Sequence, residues 1–234
     1  MPELPLTGTA LDWLRENRDL LNYGSFHNLY YQAQQWLDMY DIGRLTDMLI
    51  TTKFDPLKGM TYIPKYFLTG SKQDKFTIPD YIKTINECAF EESELQSIII
   101  PKTVKEIRKE AFANSEELIG VIFQDGITTI PEGCFIGCDK LSIIVFPKTL
   151  KRIEDRAFLW CYGLHKVDLP EGLEYIGENA FQCAGDEVIT LPKSLVDIAD
   201  SALDNNFSIT VKVYHNTVGE EYAKAHNINM IYLD

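Results

Sequence analysis

The stretch Phe146-Pro-Lys-Thr-Leu-Lys-Arg-Ile-Glu-Asp-Arg-Ala-Phe-Leu-Trp-Cys161 contains the pattern that decides the fold. In it, Ile153 is followed four and five residues later by a small residue, Ala157, and an aromatic one, Phe158. The pattern recurs every 22 or 23 residues, with leucine ending the final copy; its isoleucines are Ile85, Ile107, Ile130, Ile153, Ile176 and Ile198, and a degenerate copy begins at Ile63. A constant period of this length predicts a solenoid in which each repeat forms one coil.

A second pattern runs in step with the first, an apolar-x-apolar pair that is usually followed by proline. Its seven copies begin at Phe76, Ile98, Val121, Ile144, Val167, Ile189 and Val211. Because these segments keep one register, they predict parallel strands about 4.8 Å apart in a sheet roughly 30 Å tall on one face of the solenoid. Proline after a strand lacks an N–H and stops the ladder there.

The aromatic residues of the first pattern are expected to stack inside the solenoid, because a single coil cannot bury its own apolar edge. These residues are Phe90, Phe112, Phe135, Phe158 and Phe181. A second apolar pair in each coil is expected to point inward from the opposite wall; the pairs are Val104/Ile107, Ile127/Ile130, Leu150/Ile153, Leu173/Ile176 and Leu195/Ile198.

These residues resemble the BspA-type leucine-rich repeat family, whose repeat core is I-P-x-x-V/L-x-x-I-x-x-x-A-F-x-x-C. The stretch quoted above follows that core closely, and the resemblance covers about Phe54 to Asp234. The segment Val213–Ile228 also resembles the family's C-terminal cap, a last strand and a short helix. The resemblance implies an α+β solenoid, a leucine-rich repeat stack of about seven coils, which recognises other proteins or cell surfaces and has no catalytic chemistry.

Three regions follow from these patterns: a helical N-terminal region at 1–53, the repeat solenoid at 54–213 and a C-terminal cap at 214–234. In the first region, apolar residues at helical spacing predict two helices, separated at Asn22–Ser25, and a third short helix over Ile42–Leu49. We expect this region to cover the first coil as a cap. Its aromatic residues, with Tyr23, Tyr31 and Trp36 as candidates, also fit a partner-binding face, and the two roles can coexist.

The composition excludes several classes of function. The 22 Lys and Arg stand against 35 Asp and Glu, and the formal net charge of −13 argues against binding to nucleic acid phosphates or an anionic membrane. Apolar runs fall far short of the roughly 18 to 20 residues of a membrane helix. The N-terminus lacks the pattern of a secretory signal, so we expect a cytoplasmic protein, or an extracellular one if a leader is missing from the sequence.

Residues with catalytic or metal-binding chemistry form no recognisable site in the sequence. The histidines lie in different elements, away from metal-ligand spacing, and they are His27, His165, His215 and His226. Five cysteines without a leader suggest reduced thiols. Cys134 and Cys138 are four residues apart, but they occupy the small-residue and turn positions of the repeat, which favours a structural role. We therefore predict a non-enzymatic protein without catalytic residues, metal or cofactor.

The remaining candidate is a surface. Side chains alternate along a strand, so the residues flanking each central apolar position point onto the predicted concave face. Its middle is apolar and its ends are charged; the candidate protein-binding residues are Ile99, Ile122, Ile143, Val145, Lys75, Lys166, Asp168 and Lys212. An exposed apolar patch within polar surroundings is typical of a protein-binding site. The alternative is that these residues only favour the strand or are covered by another part of the chain.

Two functional hypotheses remain open. The first is a non-enzymatic interaction module that presents the concave face to a protein partner, although self-association would satisfy the same face. The second is an acidic inhibitor or decoy that blocks a basic site on a partner enzyme through the net charge of −13. Strong salt dependence of binding would favour the second hypothesis.

Overall fold

The computed structural model describes residues 57, 60–185, 188–204 and 209–233. The helices expected over 1–53, and with them Tyr23, Tyr31 and Trp36, lie outside these residues. The described chain is a solenoid whose coils carry parallel strands on two faces. The isoleucine of each repeat lies on one of these faces, and the apolar-x-apolar pair lies on the other.

We name the two faces the front and the back. The front strands are β3 (Ser97–Ile100), β5 (Gly120–Phe123), β7 (Ile143–Val145), β9 (Lys166–Asp168), β11 (Val188–Thr190) and β13 (Thr210–Val213). The back strands have two residues each and are β1 (Tyr62–Ile63), β2 (Thr84–Ile85), β4 (Glu106–Ile107), β6 (Thr129–Ile130), β8 (Arg152–Ile153), β10 (Tyr175–Ile176) and β12 (Asp197–Ile198). The expectation of a sheet on one face is thus corrected to parallel sheets on two faces.

The front face is not the single sheet that the sequence predicts. It divides into β3–β5–β7 and a second sheet that begins at β9. In the first sheet the backbone N–H of Ile119 donates to Gln96, and that of Ser142 donates to Ile119, each in the preceding coil. The equivalent N–H of His165 donates instead to Gly163 of its own coil, 3.0 Å away, so the ladder is interrupted there.

The predicted aromatic ladder is present in the interior. The rings of Phe90, Phe112, Phe135, Phe158 and Phe181 are fully buried. Consecutive centroids are 4.8, 5.1, 5.3 and 5.1 Å apart, and the planes of neighbouring rings differ by at most 13°. The inward pairs of the opposite wall are buried as well. The three middle rings, Phe112, Phe135 and Phe158, therefore stack on rings of both neighbouring coils, at a distance close to the strand spacing of about 4.8 Å.

Each coil also turns tightly just after the residue that ends the first pattern, which is phenylalanine in the ladder coils and leucine at Leu68. The residue two positions further on has a left-handed backbone with φ between 53° and 69°; these residues, which we name the turn column, are Gly70, Glu92, Asn114, Gly137, Trp160 and Cys183. Glycine and asparagine adopt this conformation readily, and larger residues do so at a cost. At Gly137 a Cβ atom would lie 2.6 Å from Asn114 Oδ1, so both the backbone and the available space favour glycine.

The C-terminal end of the described chain closes the stack with α1 (Val218–Ala225) and β14 (Asn229–Tyr232), which pairs in parallel with β13. Thr217 caps α1 by accepting a hydrogen bond from the N–H of Glu220. Tyr222 is buried on α1 and its hydroxyl donates to the carbonyl of Asp200 at 3.2 Å. The helix resembling the family cap is present, and β14 extends the sheet beyond it.

We predict that Phe135→Ala lowers the free energy of unfolding by about 3–5 kcal/mol, because it leaves a cavity between two stacked rings. Urea unfolding followed by circular dichroism measures this loss. The control is Val196→Ala at a side chain that is 70% exposed, where a change within about 0.5 kcal/mol is expected. Similar losses in both variants would show that the ladder does not hold the coils together.

The C-terminal cap makes the stability of the folded protein depend on pH through Glu220. Its carboxylate accepts hydrogen bonds from Lys224 Nζ at 2.6 Å, Tyr232 OH at 2.8 Å and the backbone N–H of Asn216 at 2.7 Å, and His215 Nδ1 lies 3.9 Å away. These partners, Lys224 first, lower the pKa of Glu220 from about 4.5 to about 2. A carboxylate whose pKa is lower in the folded than in the unfolded protein stabilises the folded protein at pH values above the unfolded pKa. This stabilisation is lost as the pH falls through the pKa of the folded protein.

We therefore expect Glu220→Gln to weaken the acid dependence of stability between pH 4.5 and about 2. Urea unfolding of the wild type and the variant across that range provides the measurement. The control is Glu221→Gln, at the exposed neighbouring residue of α1, which should keep the acid dependence of the wild type. The same acid dependence in Glu220→Gln and in the wild type would contradict the assignment.

Candidate protein-binding surface

Four apolar side chains cover the outer side of the first front sheet. Ile99 is 54% exposed, Ile122 42%, Ile143 56% and Val145 47%. The register places Ile99 opposite Ile122 and Ile122 opposite Val145, while Ile143 lies opposite Gly120 in the neighbouring row. These four residues, named the apolar patch, are therefore contiguous across three strands.

The apolar patch is separate from the core because side chains alternate along each strand. In β3, Ile98 and Ile100 point inward and are buried, and in β5 Val121 and Phe123 do the same. The patch residues occupy the positions between them. Substitutions in the patch consequently leave the aromatic ladder and its neighbours in place.

A cleft borders the apolar patch on the side of the first coils. The strand expected at Phe76–Pro79 does not form; Lys75 makes an isolated parallel bridge with Ser97, and beyond it no backbone hydrogen bond among the described residues joins this segment to β3. The segment turns the Phe76 ring inward, 5.5 Å from the ring of Phe67. The resulting cleft has a volume of about 390 Å³ and is lined by residues that include Lys75, Thr77, Ser97, Ile99, Pro101 and Gln124.

The charged candidates at the other end lie on the second front sheet. Lys166 and Asp168 are exposed on β9 and form an ion pair of 2.7 Å. The hydrogen bond from Lys166 lowers the pKa of Asp168, and Thr190 Oγ1 donates to the same carboxylate at 3.1 Å. Lys212 lies two strands further along, on β13. The structure thus brings Lys75 and the apolar patch together, and places these three residues beyond the interruption of the ladder.

The most exposed aromatic pair of the described chain, Trp160 and Tyr162, is absent from the candidate residues predicted from the sequence. Trp160 is 46% exposed and Tyr162 is 53% exposed. Both follow the buried Phe158 in the segment before β9. The repeat pattern could have predicted this exposure. Trp160 and Tyr162 lie two and four residues after Phe158, and these two positions fall on the turn that precedes each front strand.

Cys138 and Cys161 are buried in the interior, and each makes a hydrogen bond to the neighbouring coil. Cys138 Sγ donates to the carbonyl of Phe112 at 3.1 Å, and Cys161 Sγ donates to that of Phe135 at 3.0 Å. Ser115 Oγ makes the same bond one coil earlier. Burial raises the pKa of the Cys138 and Cys161 thiols well above the ordinary value, which disfavours the reactive thiolate.

Folding also brings together Glu87, Cys88 and Glu110, whose potential ligand atoms lie within 4.8 Å of one another. The carboxylate of Glu87 already pairs with Lys65 at 3.3 Å and Lys109 at 3.4 Å. Burial, followed by the nearby Glu91, raises the pKa of Cys88 to about 12. In this arrangement the Glu87 carboxylate is engaged in ion pairs and the Cys88 thiol is held in its protonated form.

The repeat seen in the coils matches a described family. The family described as BspA type leucine rich repeat region matches residues 61–184 and 107–226, in six copies. The protein belongs to this family. No curated protein matches the chain significantly. In the part of the BspA-type chain that the structure describes, no helix combines the length and apolar character that crossing a membrane requires.

Two solved structures share the solenoid fold of this BspA-type chain. A leucine-rich repeat protein from Bacteroides ovatus superposes with a TM-score of 0.64 at 25% identity over 75% of this chain. A leucine-rich repeat protein from Eubacterium ventriosum gives a TM-score of 0.59 at 29% identity over 62% of this chain. The chain spans 46% of the first protein and 40% of the second.

We expect Cys134, Cys138 and Cys161 to resist alkylation by iodoacetamide in the folded protein, because all three are fully buried. Peptide mass spectrometry after a timed reaction measures the modified fraction at each position. Cys183, which is only partly buried, is the internal comparison and should react first. Rapid modification of Cys138 under native conditions would contradict its structural role.

Proposed function

We propose that this BspA-type protein is a non-enzymatic protein-binding module that docks a protein partner on the apolar patch. The supporting observation is the outward exposure of four contiguous apolar side chains on three hydrogen-bonded strands. A leucine-rich repeat family also suggests an interaction scaffold. This chain spans less than half of each of the two solved relatives, so their functions do not indicate its partner. The chemistry of the partner is therefore inferred from the exposed surface of this chain.

The energetics of the apolar patch favour docking. Its strands are already hydrogen-bonded and their inward residues supply the core, so about half of each patch side chain is left for a partner to bury. Full burial of one Ile or Val side chain is worth about 1.5–3 kcal/mol, and each patch residue is close to half exposed. Burial of all four by a partner therefore supplies several kcal/mol, which is the size of an interface hot spot.

The surroundings of the apolar patch define the chemistry of the partner. Lys75 lines the adjacent cleft, and its ammonium forms no ion pair with the described residues. A partner that places apolar side chains on the patch and a carboxylate near Lys75 satisfies both features. At the far end, the paired Lys166 and Asp168 offer charges of both signs to the rim of the interface.

The acidic inhibitor remains the second candidate, and it would use another surface. Glu92, Glu94, Glu116 and Glu117 line a groove of about 390 Å³ beside the turn column, away from the front face. Lys72 pairs with Glu94, and Lys140 pairs with Glu117 at 2.5 Å, which reduces the local negative charge. Binding that falls steeply with salt and is unaffected by changes in the apolar patch would favour this candidate.

The test combines Ile122→Glu and Val145→Glu in one variant. We expect the variant to fold, because both side chains point outward, and to lose the partner, because glutamate would be desolvated in an apolar interface. Proteins captured from the native lysate by the wild type and lost with the variant are identified by mass spectrometry. The identified partner is then titrated by calorimetry, where an affinity loss of about tenfold or more is expected.

Val196→Glu is the matched control, since it places the same charge at an exposed apolar residue near β12 on the back. It should retain the partner. An unchanged affinity of the double variant would contradict the proposal, and so would unfolding of that variant, because the register would then be wrong. A wild-type dimer that becomes monomeric in the double variant by ultracentrifugation would assign the apolar patch to self-association instead.

A further inference from the structure

The exposed pair Trp160 and Tyr162 occupies a surface that the front face does not use. Trp160 belongs to the turn column, and Tyr162 lies two residues later, before β9 begins. Exposed tryptophan is uncommon on protein surfaces and is enriched at the centres of interfaces. The pair therefore stands out from the other coils, which have Glu, Asn, Asp, Gly, Lys or Cys and no aromatic residue at the equivalent positions.

Neither the backbone nor the solvent favours tryptophan at residue 160. Its φ of 62° is a left-handed conformation that suits glycine or asparagine, the residues found at Gly137 and Asn114 in the two preceding coils. Almost half of the side chain remains in water. A bulky residue kept in a strained, exposed position is the kind of outlier from which a surface role can be inferred.

The preceding coils leave the Trp160 ring accessible and place two carboxylates at the repeat position of Tyr162. Gly137, whose N–H donates to the carbonyl of Leu159 at 2.8 Å, is the turn-column residue one coil away and has no side chain to cover the indole. Asp139 and Glu116 occupy the repeat position of Tyr162, one coil and two coils earlier in the chain. Asp139 and Glu116 are exposed and form no ion pair with the described residues.

We propose that Trp160, Tyr162, Asp139 and Glu116 form a binding strip for an extended basic peptide segment. A guanidinium or ammonium group stacks on the aromatic pair, because the face of an aromatic ring attracts cations. A second cationic side chain reaches Glu116 two coils away. That distance is about 10 Å at a coil spacing of about 4.8 Å, which is close to one three-residue turn of a polyproline II chain, in which residues three apart lie on the same face.

Arginine suits this strip better than lysine, since its planar group stacks on aromatic rings and is more weakly hydrated. Arginines spaced three residues apart are therefore the expected ligand. This inference goes beyond the proposed docking of a partner on the apolar patch and does not depend on it, because the strip lies on the turns before the front strands.

The experiment titrates the full chain by calorimetry with the peptide acetyl-Arg-Gly-Gly-Arg-Gly-Gly-Arg-amide. The control peptide has citrulline in place of arginine, which keeps the shape and removes the charge. We expect the arginine peptide to bind with an affinity that falls as salt rises, and the citrulline peptide to bind far more weakly. Trp160→Asn should weaken binding of the arginine peptide by about fivefold to tenfold.

Trp160→Asn also separates a binding role from a structural one. Asparagine tolerates the left-handed backbone, so the variant should keep or raise the thermal midpoint while losing affinity. Glu116→Gln should weaken binding by about twofold to fivefold. Its matched control, Glu171→Gln, removes an exposed carboxylate beyond the other end of β9 and should leave binding unchanged.

Three outcomes would overturn the proposal. They are an absence of binding by the arginine peptide, equal affinity of the arginine and citrulline peptides, and equal affinity of the wild type and Trp160→Asn. Binding of a neutral oligosaccharide such as maltoheptaose, lost in Trp160→Asn, without binding of the arginine peptide would assign the strip to a sugar instead. The variant with Ile122→Glu and Val145→Glu should bind the arginine peptide as the wild type does, so failure of one proposal leaves the other standing.

Discussion

Face-to-face stacking of the interior phenylalanines is the contact on which the rest of the structure depends. The ring spacing of 4.8 to 5.3 Å matches the separation of hydrogen-bonded strands, so the phenylalanine stack and the strands share one rise in the coils from Phe90 to Phe181. Because the rise is nearly constant, the strands within each sheet of both faces pair in register. The left-handed turn column beside each ring then returns the chain to the same position in the next coil.

Because the rise is nearly constant, residues at the same position of successive repeats line up in rows on the surface. The rows of the front face carry the apolar patch, and the row of turns carries acidic residues in the early coils and the aromatic pair at Trp160 and Tyr162. Each row can differ in composition while the interior stays the same. A small solenoid can in this way present two chemically distinct surfaces, one apolar and one that combines aromatic rings with carboxylates.

The repeat made the interior and the outward rows predictable from sequence. Phe135 and Ile153 are core residues because their columns recur, and Ile122 points outward because strands alternate. Events confined to one coil were not predictable. The local hydrogen bond of His165 to Gly163 and the departure of Phe76 from the front sheet depend on competing backbone partners, which no column of residues encodes. Residues 1–53 lie outside the described chain, so the helices predicted there stay a prediction.

The interruption at His165 has a mechanical consequence. On the back face β8 and β10 remain paired across the same coils, and inside them Phe158 stacks on Phe181. The two front sheets are thus joined through the back and the centre of the solenoid, without a strand ladder between them. The apolar patch and the charged residues of β9 consequently lie on separate sheets, and the back face and the phenylalanine stack set the angle between these two surfaces.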